Sequence, residues 1–179
     1  KELCGAGVAW NVIRVLYENY DMDKREAEDL LDFVAMATVC DVMSLTGENR
    51  ILVKEGLKRI RHTKNIGLQA LMQACNVQPE NISAYHFGYV LGPCVNATGR
   101  LDTARHALRL FETGQETEAE EIARDLVDLN QERKELTLQG VEMAKKLCEE
   151  GGYENDPVLV LFLPDVHESI AGLIAGRIR

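Results

Sequence analysis

Asp41 sits in FVAMATVCDVMSL, residues 33–45, a stretch where almost nothing else ionises. A carboxylate in so apolar a setting is costly to bury unless it is paired, hydrogen-bonded or on a metal. The competing reading is a loop aspartate that accepts hydrogen bonds from nearby backbone amides. A second candidate lies in LGPCVNATGRLDTARHAL, residues 91–108. Here Gly92-Pro93 is expected to end one helix, and Gly99-Arg100 to precede another whose first turn offers free N–H groups and partial positive charge. Glycine permits close backbone approach, arginine is a forked donor, and Asn96 can orient either, a combination suited to gripping a phosphate. An arginine that merely bonds loop carbonyls fits the same residues. The third candidate is DVHESIAGLIAGR, residues 165–177, where His167, Ser169 and Arg177 flank a run of small residues that admits a backbone or a ligand. Packing through small residues, with a surface arginine and a structural histidine, explains it equally.

Other motifs carry less. Arg50, Lys54, Lys58 and Arg61 form a basic stripe on one helical face; it reads chiefly as a solvated face, with nucleic-acid contact as the alternative. His62, His86 and His106 show no ligand spacing. Five scattered cysteines, Cys4, Cys40, Cys75, Cys94 and Cys148, form no C-x-x-C pair and are read as reduced thiols. No secretory signal pattern opens the sequence, so cytoplasmic placement is expected, and the glycosylation sequons at Asn81 and Asn96 lose their meaning.

The elements that must position these residues are almost all helical. Helical spacing of Val8, Val12, Val15 and Leu16 predicts a helix from about residue 7 to 19 with these four on its apolar face. Asp23, with Glu26 in capping-box position, is expected to start a helix over residues 24–37. Residues 47–63 are amphipathic through Val53, Leu57 and Ile60. Residues 67–76 and 83–91 suit shorter helices, the latter ending at Gly92-Pro93. Asp102 or Thr103 is expected to cap the next. One long helix is expected over residues 116–150, with a seam at Ile122, Leu126, Leu129, Arg133, Leu136, Gly140, Met143 and Leu147. Arg133 and Gly140 interrupt the seam, which favours a connecting helix packed on one side over a dimeric coiled coil. Gly151-Gly152 stops it. PVLVLFL, residues 157–163, is the one convincing strand, followed by a helix.

The 179 residues, with 46% hydrophobic and 27% charged, suffice for a real core. A net charge of −9 argues against coating nucleic acid by bulk attraction, yet acidic residues crowd 112–135 while 50–64 is mostly basic. The first residue is not methionine and the last lies in a helical pattern, so a piece of something longer is expected.

LCGAGVAW, LLDFVAMATVCDVMSLTGENR, LGPCVNATGRLDTA and HESIAGLIAGR, in this order and joined by a long acidic helix, resemble the RecJ single-stranded-DNA exonucleases of the DHH phosphoesterase superfamily. The resemblance spans essentially the whole chain. It implies a mainly α segment of a two-lobed α/β phosphoesterase. Residues 1–110 would be the C-terminal part of the DHH domain, 111–155 the long connector helix and 156–179 the start of the DHHA1 substrate-binding domain. Carried over by position, it implies that Asp41 binds metal, that Asn96 and Arg100 hold substrate phosphate, and that His167, Ser169 and Arg177 belong to the second lobe's substrate-binding motif. It further implies Mn²⁺ or Mg²⁺, two ions in the full-length enzyme, and hydrolysis of single-stranded DNA from the 5′ end in DNA repair and recombination. Expected partners are single-stranded DNA and a single-stranded-DNA-binding protein or RecQ-type helicase, with no membrane and a monomeric state. The sequence lacks the family's amino-terminal aspartate motifs and the DHH string; Cys94 replaces a frequent basic residue and Ser169 a frequent glycine. The alternatives are a DHH phosphoesterase acting on short oligonucleotides or cyclic dinucleotides, and a non-catalytic DNA-binding scaffold.

Overall fold

The computed structural model describes residues 2–101, 103–153 and 156–178. Among them, helices follow in the order α1 (Gly5–Asn19), α2 (Lys24–Asp29), α3 (Leu31–Cys40), α4 (Gly47–Arg59), α5 (Ile66–Ala74), α6 (Ala84–His86), α7 (Gly92–Leu101), α8 (Ala104–Glu112), α9 (Glu116–Gly151) and α10 (Glu168–Ile178). No described segment forms a strand, and no described helix is long and apolar enough to cross a membrane.

α3 is apolar around most of its circumference, which suits a helix surrounded by others. Its residues Ala35 and Met36 join a core built with α4, α5, α8 and the first third of α9, where Leu68, Leu71, Phe87, Leu91, Leu110 and Leu126 are fully buried. Two glycines set the approach distances. A Cβ on Gly56 would stand 2.2 Å from the Leu31 carbonyl oxygen, and one on Gly67 would stand 2.0 Å from that of Leu110. A second, smaller cluster joins Val141 and Ala144 of α9 to Ile170 and Ile174 of α10.

Several sequence expectations change here. The helix expected over residues 24–37 breaks at Leu30 into α2 and α3. Asp23 does cap α2, accepting from the Arg25 N–H at 3.0 Å, but the Glu26 side chain bonds the Tyr17 hydroxyl rather than closing a capping box. In α1 the expected core face is exposed: Val8, Val12, Val15 and Leu16 line an open groove, because α1 packs instead through Gly7 and Trp10, whose indole N–H donates to the Ala27 carbonyl at 2.7 Å. Thr103 precedes α8 without a side-chain cap, and Asp102 lies outside the described residues.

Residues 157–163 are not a strand, because no described segment offers a ladder partner. They keep a strand's alternation all the same. Leu161 and Leu163 pack against the α9–α10 cluster and Leu159 lines the same open side, itself exposed, while Val158, Val160 and Phe162 are exposed on the other. One side of the apolar run is therefore covered by a helix and the other by nothing described.

α9 runs as expected and ends at Gly152, whose φ of 69° is the left-handed conformation glycine favours. Its seam drifts, however. Ile122, Leu126 and Gly140 are buried as expected, but past Leu126 the buried line also passes through Asn130, Thr137, Val141, Ala144 and Cys148, leaving Met143 and Leu147 exposed. A straight helix turns about 20° per heptad away from a strict seven-residue repeat, and α9 meets a different partner at each end.

Candidate phosphate and metal site

The helix that carries Asn96 and Arg100 does not break where the sequence suggested. α6 passes into a π-helical turn, Phe87–Leu91, which continues directly into α7. Pro93 is the second residue of α7 and directly follows the π turn, so its missing N–H falls in a first helical turn and the helix continues through it. At that turn the Phe87 carbonyl accepts both the Gly92 N–H and the Cys40 thiol, the latter at 3.4 Å. Gly92 is required by closeness: a Cβ there would lie 2.3 Å from the Cys40 sulfur. Asn96, Gly99 and Arg100 are thus exposed residues of a helix, not of a loop preceding one.

Arg100 reaches across to the start of α10, where its Nη1 donates to the Ser169 carbonyl at 2.6 Å. Ser169 is held in turn by His167. The His167 Nδ1 accepts from the Ser169 backbone N–H at 3.3 Å and lies 2.6 Å from its hydroxyl. Nδ1 therefore carries no hydrogen in this arrangement, and Nε2 is left to donate outward. His167, Ser169 and Arg100 thus form one hydrogen-bonded group, which brings together residues taken from two separate stretches of the sequence.

A residue absent from the expected set joins them. Arg133 of α9 donates through Nε and Nη2 to the Asn130 Oδ1, at 3.2 and 2.9 Å. Burial first, and then the charges of Arg100 and Arg177, push its guanidinium pKa down. Arg100, Arg133 and Arg177 come from α7, α9 and α10, helices that pack on one another, and none of the three pairs with a carboxylate among the described residues. Like charges so arranged repel each other, and a bound anion relieves that repulsion. The signal for Arg133 was its place in an apolar seam, where a charge persists only with a partner or a ligand.

Asp41 is exposed at the C-terminal end of α3, so of the two readings the sequence left open it is not the buried carboxylate but a residue just past a helix end. The chain turns sharply there: Val42 has φ 54°, a conformation costly for a β-branched residue and commonest at functional sites. Burial, and secondarily the Asp41 charge, push the Cys40 thiol up to about 11. Because Cys40 abuts Gly92, Asp41 stands beside the start of α7, with Arg100 about 12 Å further along that helix at 1.5 Å rise per residue. No group of three His, Cys, Asp or Glu that could hold a metal occurs among the described residues. As a hard oxygen donor Asp41 suits Mg²⁺ or Mn²⁺, but as one ligand of several.

The buried carboxylate is Asp32, which sequence reasoning passed over. It is 3% exposed and accepts from the Thr63 hydroxyl and the Phe33 N–H, both at 2.7 Å. Burial raises its pKa, and the two donors only partly offset this. It ties α3 to the turn after α4 and has no part in the arginine group.

No protein-family model matches the chain. Curated proteins do. The single-stranded-DNA-specific exonuclease RecJ of Salmonella typhimurium is 35% identical over 193 residues, covering 100% of this chain and 33% of the relative. That of Escherichia coli is 34% identical, with the same coverages. The chain spans about a third of the length of these relatives. Among solved structures, RecJ from Thermus thermophilus in complex with Mn²⁺ superposes with a TM-score of 0.85 at 33% identity, over 99% of this chain and 26% of that one. An exonuclease RecJ bound to manganese gives 0.85 at 34% identity, over 99% and 44%. Matched along its whole length in both sequence and three-dimensional structure, the chain belongs to the RecJ family.

Proposed function

We propose that this chain carries the phosphate-holding surface, and one metal ligand, of an exonuclease that hydrolyses single-stranded DNA from its 5′ end in DNA repair and recombination. The observation that carries this reading is the convergence of Arg100, Arg133 and Arg177 without a carboxylate partner among the described residues. The metal-bound RecJ relatives support it. Such arginines bind a terminal phosphate, neutralise charge as it develops and fix the strand's register. Asn96, one turn before Arg100, offers an amide to the same phosphate. His167 orients Ser169, whose carbonyl fixes the Arg100 fork. Asp41 would hold a Mn²⁺ or Mg²⁺ ion, which supplies Lewis-acid polarisation and an activated water when bound.

The domain division is part of the proposal. Residues 1–110, which hold most of the larger core, are the end of the DHH domain, residues 111–155 with α9 the connector, and residues 156–179, whose Ile170 and Ile174 pack on α9, the start of DHHA1. The arginine group spans the two.

The test uses the full-length protein. Nucleotide release is followed from long 5′-phosphorylated single-stranded DNA and from a dinucleotide in Mn²⁺, for wild type, Asp41→Ala and Arg100→Ala. Stepwise digestion of the long strand, lost in Asp41→Ala and weakened in Arg100→Ala, is the expected result. Cleavage of the dinucleotide alone would replace the reading with a small-substrate phosphoesterase, and cleavage of neither with a scaffold.

A further inference from the structure

Cys75 ends α5 and Cys94 lies in α7, and their sulfurs are 3.8 Å apart. Both are free, Cys75 partly exposed and Cys94 buried. Cys94 is also the acceptor of the Asn130 Nδ2 at 3.5 Å, and Asn130 is the residue whose Oδ1 holds both donors of Arg133. A continuous chain of contacts therefore runs from the cysteine pair through a buried asparagine to the arginine group. We propose that Cys75 and Cys94 form a reversible disulfide under peroxide, and that its formation releases Asn130 and weakens phosphate binding through Arg133. The coupling rests on the phosphate reading given above; the disulfide does not.

The chemistry suits the surroundings. The Cys75 thiol beside it, and then Asn130, Lys134 and Arg133, favour the Cys94 thiolate against the opposing effect of burial, whereas the same pairing and burial hold Cys75 protonated. The Cys94 thiolate attacks one oxygen of hydrogen peroxide and expels hydroxide, leaving a sulfenic acid. The Cys75 sulfur then attacks that sulfur; its proton and the sulfenic hydroxyl leave as water, and the S–S bond forms. Peroxide is reduced and the two thiols are oxidised, with two waters formed overall once the hydroxide is protonated. The sulfurs must close from 3.8 Å to about 2.0 Å. In moving toward Cys75, the Cys94 sulfur gives up its place against Asn130 and its own bond to the Val90 carbonyl at 3.3 Å.

The experiment treats native full-length protein with hydrogen peroxide, maps crosslinked peptides by mass spectrometry without reduction, and measures KM for 5′-phosphorylated and 5′-hydroxyl single-stranded DNA. The expected result is a Cys75–Cys94 crosslink with a rise in KM for the phosphorylated strand of about tenfold, the order lost with one hydrogen bond that orients a charged group. A thiol reductant should reverse both. Cys75→Ser should form no crosslink and, before oxidation, keep the KM of reduced wild type. Absence of the crosslink in oxidised, folded protein overturns the proposal, as does a crosslink with unchanged KM. If the reduced protein does not distinguish phosphorylated from hydroxyl ends, the phosphate reading fails and the coupling with it, while peptide mapping still reports the disulfide.

Discussion

A charge in the middle of an apolar seam needs a reason, and for Arg133 the reason is Asn130 on one side and two further arginines on the other. Replacing it with glutamine keeps most of its packing and removes its charge. Arg133→Gln is expected to weaken binding of single-stranded DNA by about tenfold or more. It should also reduce the salt dependence of binding by about one phosphate contact, read from the slope of log affinity against log salt concentration. Asp32 supports a different prediction. Its pKa in the folded state lies above the unfolded value, so its contribution to stability is fullest below the unfolded pKa and is lost as pH rises through the folded one. Asp32→Asn should therefore gain stability relative to wild type as pH rises above the unfolded carboxylate pKa of about 4, measured by chemical denaturation at a series of pH values. Arg100, Arg177, His167 and Ser169 drew attention in the sequence because small residues beside a forked cation suit close approach; the contact of Arg100 with Ser169 across two helices was not readable there, because it depends on how α7 and α10 pack. The setting of Asp41 was open in the sequence between burial and a loop: its apolar neighbours belong to α3, and Asp41 has already left that helix.

At the scale of elements, local pattern identified most of the helices and misplaced some of their ends. Gly92-Pro93 reads as a stop by every local rule, and only the packing of Cys40 against the turn shows why the helix continues. Gly92→Ala is accordingly expected to destabilise the protein by about 1–3 kcal/mol, because the added methyl meets a packed sulfur and the Phe87 carbonyl rather than open space. A shift in denaturation midpoint of that size, unmatched by Gly99→Ala where a Cβ would meet nothing within 4 Å, would check it. The apolar run 157–163 has the composition of a strand but no described ladder partner. Composition reports what a segment can pair with and leaves open whether a partner is at hand. The groove on α1 teaches the same lesson, since periodicity located an apolar face without locating its cover.

For the molecule as a whole, the described residues divide unevenly: the charges of Arg100 and Arg177 act on Arg133, but no group of three His, Cys, Asp or Glu that could hold a metal occurs among them. The purified 179-residue chain is thus expected to show no Mn²⁺-dependent nuclease activity, and measurable metal-dependent release of nucleotides from single-stranded DNA would refute this. The unbroken course of α9 sets a further condition. Arg133 lies between its contacts with the larger core and its contacts with α10, so this one rod fixes the rotational phase of everything beyond it. A single residue inserted after Arg133 would swing α10 through about 100°, carrying Arg177 away from Arg100. Seven inserted residues would nearly restore the angle but displace α10 by about 10 Å along the axis. Length in this part of the helix is consequently a quantity evolution cannot drift in: α9 acts as a gauge block, and the phosphate grip we propose depends on its count of residues as much as on their identity.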